Sequence, residues 1–176
     1  SFTRADKSLF QAGKWAHAWQ KLGAHPCVCK QESGVLFSVW APHAKNVSLR
    51  LKRSETEENQ VSMRRRQGGV WEVFVPGALP GDRYFYAILG ADGVERLKAD
   101  PFAFSSELRP GRASVVADLT GYAWHDASYR DACRLRDIRH SPMAVYDVHL
   151  GSWKRTHAKG SSGFLNSRAI APQLAA

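Results

Sequence analysis

Short runs in which apolar and polar residues alternate recur through the middle of the chain and predict β-strands. Residues 47–52 alternate strictly, and residues 70–75 place Trp71 on the same face as Val73 and Val75. Pro-Gly and Asp-Gly pairs punctuate the chain after such runs, as in antiparallel proteins with short loops. The spacing predicts a mainly β protein with an immunoglobulin-like β-sandwich. The other predicted strands are residues 35–40, 84–89 and 115–119.

The two ends of the chain have a different pattern. In residues 1–24, large apolar side chains recur every three to five positions, which predicts a short helical lead-in that Gly23 could end. Residues 120–141 are polar and without a clear period, so they are interpreted as a linker. Residues 144–150 form an apolar run that predicts a further strand.

Residues 161–176 are helix-like, with Asn166 or Ser167 as the N-cap and Pro172 acceptable only in the first turn. A strand followed by a helix is the opening of a βα unit, which needs further strands to bury it. We therefore expect this unit to be swapped between molecules, packed on the sandwich, or truncated.

Composition narrows the classes of protein. The chain has 176 residues, 44% of them hydrophobic and 11% aromatic, which excludes a disordered protein. No stretch approaches the roughly 18 apolar residues of a membrane span, so no membrane partner is expected. Three cysteines are too few for a disulfide scaffold and favour a reducing compartment, the cytoplasm.

The net charge of +9 permits a nucleic-acid-binding hypothesis. The Lys and Arg residues are scattered, however, and the one run, residues 64–66, stands where a hairpin loop is expected. Net charge alone informs solubility more than function. No nucleic-acid partner is therefore expected, although a basic nucleic-acid-binding domain stays the least favoured alternative.

A metal site is not expected either. His25, Cys27 and Cys29 carry suitable donor atoms, but zinc sites need four ligands and a longer Cys spacing than the single residue found here. The two cysteines fit better as strand residues, with Val28 on the opposite face. No glycine-rich phosphate loop occurs, so no cofactor is expected.

Four segments, in order, resemble one family. They are residues 22–26 (Leu-Gly-Ala-His-Pro), 37–42 (Phe-Ser-Val-Trp-Ala-Pro), 97–104 (Leu-Lys-Ala-Asp-Pro-Phe-Ala-Phe) and 146–155 (Tyr-Asp-Val-His-Leu-Gly-Ser-Trp-Lys-Arg). Together they resemble the N-terminal part of bacterial 1,4-α-glucan (glycogen) branching enzymes. That part consists of a carbohydrate-binding module of family 48 followed by the start of an α-amylase-type barrel.

The resemblance implies the bounds of the domains and which domain contains the catalytic residues. The sandwich would occupy residues 25–119, after the lead-in of 1–24, and the linker of 120–141 would precede a truncated start of the (β/α)8 barrel at 142–176. Branching enzymes transfer an α-1,4-glucan chain to a 6-hydroxyl through a retaining mechanism, with carboxylates on later barrel strands. No residue here corresponds to those carboxylates, so the chain is expected to have no catalytic residue and to be inactive alone.

The resemblance also nominates site residues. Trp71 is the candidate for glucan binding, although its alternation with Val73 and Val75 favours a core position. Related modules carry an aromatic side chain after the second strand and a Lys between two tyrosines. Here residues 53–60 contain no aromatic side chain, and Phe85 replaces the Lys.

Four side chains are expected to pack the sandwich against the barrel: Trp124, Tyr146, His149 and Trp153. The expected partners are an α-1,4-glucan or glycogen and the barrel domain of the same enzyme. The alternative is a free-standing glucan-binding or regulatory module, which would need an exposed aromatic patch.

Overall fold

The computed structural model describes residues 3–54, 57–156 and 163–175. The chain divides into two compact units, residues 1–123 and 124–176. In the first unit, two antiparallel sheets face each other. One sheet has four strands and the other has six. The predicted mainly β sandwich is confirmed.

Within the residues that the structure describes, ten strands form these sheets. They are β1 (Gly23–Cys29), β2 (Glu32–Trp40), β3 (Asn46–Lys52), β4 (Glu58–Ser62), β5 (Arg64–Arg65), β6 (Val70–Pro76), β7 (Arg83–Leu89), β8 (Glu95–Lys98), β9 (Ser105–Ser106) and β10 (Ser114–Val115). The four-stranded sheet has the order β1-β2-β6-β5. The six-stranded sheet has the order β4-β3-β7-β10-β9, with β8 also paired to β7.

The core lies between the sheets because alternate residues of each central strand point inward. On β3, Val47, Leu49 and Leu51 are fully buried, as their alternation predicts. Phe37 of β2 meets Tyr84 of β7 edge to face, with ring centroids 5.0 Å apart. This contact joins the two sheets at the centre of the sandwich.

The lead-in is less helical than its spacing predicts. A helix, α1 (Arg4–Gln11), is capped by Thr3, and a single 3-10 turn follows at Ala18–Gln20. The chain is already extended from Gly23, where β1 begins. Because β1 contains cysteine and proline, its apolar and polar residues do not alternate clearly. The sequence therefore predicts a strand only at the cysteine pair.

Two further segments differ from expectation. The predicted strand 115–119 is reduced to β10, which ends at Val115. Residues 64–66 are not a hairpin loop, because Arg64 and Arg65 pair with β6 as β5. The tight turn lies directly after them, where Gly68 has φ 75° and a Cβ at Gly69 would lie 2.6 Å from Pro42.

The second unit contains three helices within its described residues: α2 (Ala127–Leu135), α3 (Leu150–Trp153) and α4 (Ser167–Leu174). Asn166 caps α4, accepting a hydrogen bond from the Ala169 N–H. Pro172 lies inside α4, beyond the first turn in which it was expected. The strand predicted at 144–150 is not formed, because a parallel strand exists only through hydrogen bonds to neighbours and no described strand pairs with it.

A search of the described ranges for a membrane-crossing segment found no helix with the length and hydropathy that crossing requires.

Candidate functional site

Trp71 lies in the core of the sandwich. Its exposed fraction is 5%, and its Nε1–H donates a hydrogen bond to the Ala41 carbonyl oxygen at 3.0 Å. The Arg65 guanidinium lies 5.9 Å from the ring centroid. In this position the indole contributes mainly to packing, as its alternation with Val73 and Val75 suggests.

A buried carboxyl group anchors one of the recognised segments. Asp100 Oδ2 accepts hydrogen bonds from the hydroxyls of Tyr84, at 2.7 Å, and Tyr86, at 3.2 Å. The Phe102 N–H donates to Oδ1 at 2.8 Å. Burial raises the pKa of Asp100, and burial together with this carboxylate raises the pKa of both tyrosines. The network holds the segment after β8 against β7.

The outer face of the six-stranded sheet is where the resemblance would place a sugar platform. Phe85 is half-buried there, in a groove of about 190 Å³ with Leu97 beside it. Ion pairs occupy the rest of this face: Arg50 pairs with Glu58 at 3.3 Å and with Glu95 at 3.7 Å. Charged side chains that pair with one another leave little free aromatic surface, so this face lacks a clear platform.

The outer face of the four-stranded sheet carries a larger groove of about 640 Å³, within the size range of ligand pockets. Leu36 and Phe74, which are opposite each other in the β2–β6 register, form its floor. A Cβ at Gly34 would lie 2.8 Å from Phe74 Cζ, so the Phe74 ring extends over the bare backbone of Gly34. Cys27 and Cys29 of β1 line one side of the groove.

Charged side chains line the other side of this groove. The Arg66 Nε–H donates to Glu72 Oε2 at 3.0 Å, and the Glu72 side chain is 3% exposed. Arg64 is opposite Glu72 in the β5–β6 register. The groove thus combines an aromatic floor with donors and acceptors held in fixed positions. Phe74 was missed by sequence analysis, although it is an apolar residue out of phase with the core face of β6.

The cysteine pair lies in a strand, as predicted, and both cysteines are exposed. His25 Nε2 lies 3.0 Å from the Leu22 carbonyl oxygen. Among the residues that the structure describes, no group of three or more His, Cys, Asp or Glu side chains could hold a metal ion.

Three of the four side chains predicted to pack between domains lie at or beside α3 in the second unit. The Trp153 Nε1–H donates to the Tyr146 hydroxyl at 2.7 Å, and His149 Nδ1 lies 2.9 Å from Ser152 Oγ. Tyr146 is 71% exposed and Trp124 is 75% exposed. The structure therefore brings three of the four predicted packing residues together within this unit.

Comparison with known sequences finds a family model that matches part of the chain. Residues 21–103 match carbohydrate-binding module 48 (isoamylase N-terminal domain). This range begins before β1 and ends after β8, so it covers most strands of the sandwich.

Curated relatives cover more of the chain. It is 40% identical to 1,4-alpha-glucan branching enzyme GlgB of Prochlorococcus marinus, over 92% of this chain and 21% of that protein. The Synechococcus elongatus enzyme of the same name is 42% identical over 86% of this chain and 20% of its own length. The Butyrivibrio fibrisolvens enzyme is 36% identical over 96% of this chain and 27% of its own length. The chain thus spans about a fifth to a quarter of the length of these relatives.

Among solved structures, a pullulanase complexed with maltotriose from an Anoxybacillus species is similar to this chain. The TM-score is 0.50, with 30% identity, over 66% of this chain and 15% of that chain. A Bacillus subtilis type I pullulanase complexed with maltose is similar at 25% identity and a TM-score of 0.50, over 62% of this chain and 15% of that chain.

Proposed function

We propose that this chain is the non-catalytic N-terminal portion of a 1,4-α-glucan branching enzyme. It resembles the N-terminal part of such enzymes, as its four segments predicted. The observation that carries the proposal is the coincidence of the family 48 match with the sandwich. In this plan the lead-in is 1–24, the sandwich 25–119, the linker 120–141 and the start of the barrel 142–176. The setting is the cytoplasm, where glycogen is made.

The partner of the sandwich in this proposal is an α-1,4-glucan. Sugar rings present C–H groups that pack on apolar and aromatic side chains, while their hydroxyls need both donors and acceptors. Binding an acceptor or donor chain would position it for the barrel, where the transfer takes place. The chemistry itself belongs to carboxylates that have no counterpart in this sequence.

The packing role of Trp124, Tyr146, His149 and Trp153 is part of the same proposal. In the complete enzyme these side chains would lie between the sandwich and the barrel, since apolar surface removed from water stabilises the assembly by about 25 cal/mol per Å². The exposed fraction of Tyr146 supports this role.

Two assays of the purified chain test the proposal together. Sedimentation with glycogen should carry the folded chain into the pellet, and excess maltoheptaose should release it. Incubation with amylose should produce no new α-1,6 linkages, measured by debranching and chain-length analysis. Branching by the chain alone would refute the non-catalytic assignment, and a folded chain that stays in the supernatant would refute glucan binding.

A further inference from the structure

We propose that the groove on the outer face of the four-stranded sheet is the glucan-binding site of the sandwich, an inference that rests on the proposed function. The groove is named here by Phe74, Leu36, Cys27, Cys29, Arg64 and the Arg66–Glu72 pair, which line it. This is the face opposite to that of Phe85, where the resemblance would place a platform.

The floor of the groove suits a sugar ring. Phe74 extends over Gly34, where any Cβ would collide with it, so the bare backbone lets the ring lie low on the sheet. Phe74 and Leu36 are both half-buried, so each keeps some surface toward the groove. Together they offer an apolar strip that can pack against the C–H face of a pyranose.

The rim offers both donors and acceptors to sugar hydroxyls. Glu72 is held by Arg66 at 3.0 Å and is almost fully buried, so its carboxylate keeps a fixed position without rearrangement. Lys30, Arg64 and the Ser62 hydroxyl, also on the lining, add donors and a further acceptor. Hydroxyl groups use both kinds of partner, whereas an anionic ligand would use the cations alone.

Size and form also favour an oligosaccharide. The volume of about 640 Å³ exceeds the 190 Å³ of the groove beside Phe85. The Arg50–Glu58 and Arg83–Glu107 ion pairs line that smaller groove, while the larger one keeps an aromatic floor between Cys27 and Arg64. An extended chain of several sugars could therefore lie across β1, β2 and β6.

A matched pair of variants tests the assignment, because Phe74 and Phe85 are half-buried phenylalanines on opposite outer faces. Calorimetric titration with maltoheptaose should show that Phe74→Ala weakens binding about tenfold, the expected loss for one aromatic contact. Phe85→Ala should change the affinity by less than about twofold. Weakening by Phe85→Ala with no effect of Phe74→Ala would overturn the site but leave the proposed function standing. No binding by the folded wild-type chain would overturn both.

The cysteines provide a test that does not require a substitution of Phe74. Maltoheptaose should slow the reaction of Cys27 and Cys29 with N-ethylmaleimide, followed by mass spectrometry of peptides, and should leave Cys133 of the second unit unaffected. Prior labelling should abolish glucan binding by the wild-type chain but not by a Cys27→Ser/Cys29→Ser variant. Unchanged labelling rates, or full binding after labelling, would overturn the assignment even if Phe74→Ala fails to fold.

Discussion

Asp100 is buried under two tyrosine hydroxyls, so its protonation is linked to folding. Its pKa is raised by burial from the ordinary 3.8, so the folded chain binds this proton more tightly than the unfolded chain does. The contribution of Asp100 to stability is therefore most favourable below the unfolded pKa, and it declines as pH rises toward the folded pKa.

Asp100→Asn removes this titration. We expect the melting temperature of the wild type, relative to the variant, to fall as pH rises from about 3.8 toward neutrality. Thermal unfolding of both chains across this range measures the difference. A difference that stays constant, or that grows with pH, would contradict the stated direction of the pKa shift.

Trp71 tests whether a residue nominated for binding contributes to packing instead. Trp71→Phe keeps an aromatic ring but removes the bond from Nε1–H to the Ala41 carbonyl oxygen. We expect a loss of about 1–3 kcal/mol in the free energy of unfolding. Affinity for maltoheptaose should change by less than about twofold. Urea unfolding and calorimetry measure the two effects, and a large loss of affinity with unchanged stability would assign Trp71 to the binding site.

At the scale of elements, the β1–β2–β6 layer depends on the absence of a side chain at Gly34. Gly34→Ala would place a Cβ against the Val75 carbonyl oxygen and 2.8 Å from Phe74 Cζ. Because the backbone must move, we expect a cost of about 1–3 kcal/mol. Gly121→Ala is the control, since nothing lies within 4 Å of its Cβ position, and it should cost less than about 0.5 kcal/mol. If denaturant unfolding gave the two variants the same free energy of unfolding, the layer would have room for a side chain at position 34.

Alternation of apolar and polar residues predicted the central strands. Some short strands that lack this alternation were not predicted. Residues 47–52 and 70–75 were predicted within one residue of β3 and β6, because each buries one face in the core. Strands such as β5 and β9 are two residues long and form only through their partners, so no local pattern marks them. The run at 144–150 has the composition of a strand, but none of the strands in the described residues pairs with it.

The candidate site was less predictable than the fold. Alternation placed Trp71 inward correctly, but a groove depends on which side chains from three strands lie together. The Phe74 ring lies over Gly34 of the neighbouring strand, where there is no side chain to block it. Which residue lies under the ring depends on the β2–β6 register. Sequence spacing along one strand carries no information about that pairing.

At the scale of the whole molecule, the second unit exposes large apolar side chains. Leu135 is 89% exposed and Val145 is 83% exposed. Exposed apolar surface of this kind promotes association, and in the proposed enzyme a barrel would cover it. A Leu135→Ser/Val145→Ser variant should therefore associate less at high concentration, measured by sedimentation velocity. Leu108→Ser, which changes a 91% exposed residue of the sandwich, is the control and should not alter association. If both variants reduced association equally, the apolar surface of the second unit would not be the cause of association.

The central claim is that a sandwich without catalytic residues binds α-1,4-glucan. Calorimetric titration of the wild-type chain with maltoheptaose tests it most directly, with circular dichroism of the same sample to establish folding. Saturable binding with a defined stoichiometry is the result expected from the aromatic and polar groove beside Phe74. No heat of binding from a folded chain, at temperatures on both sides of any enthalpy crossover, would contradict the claim and leave the sandwich as a structural partner of the barrel.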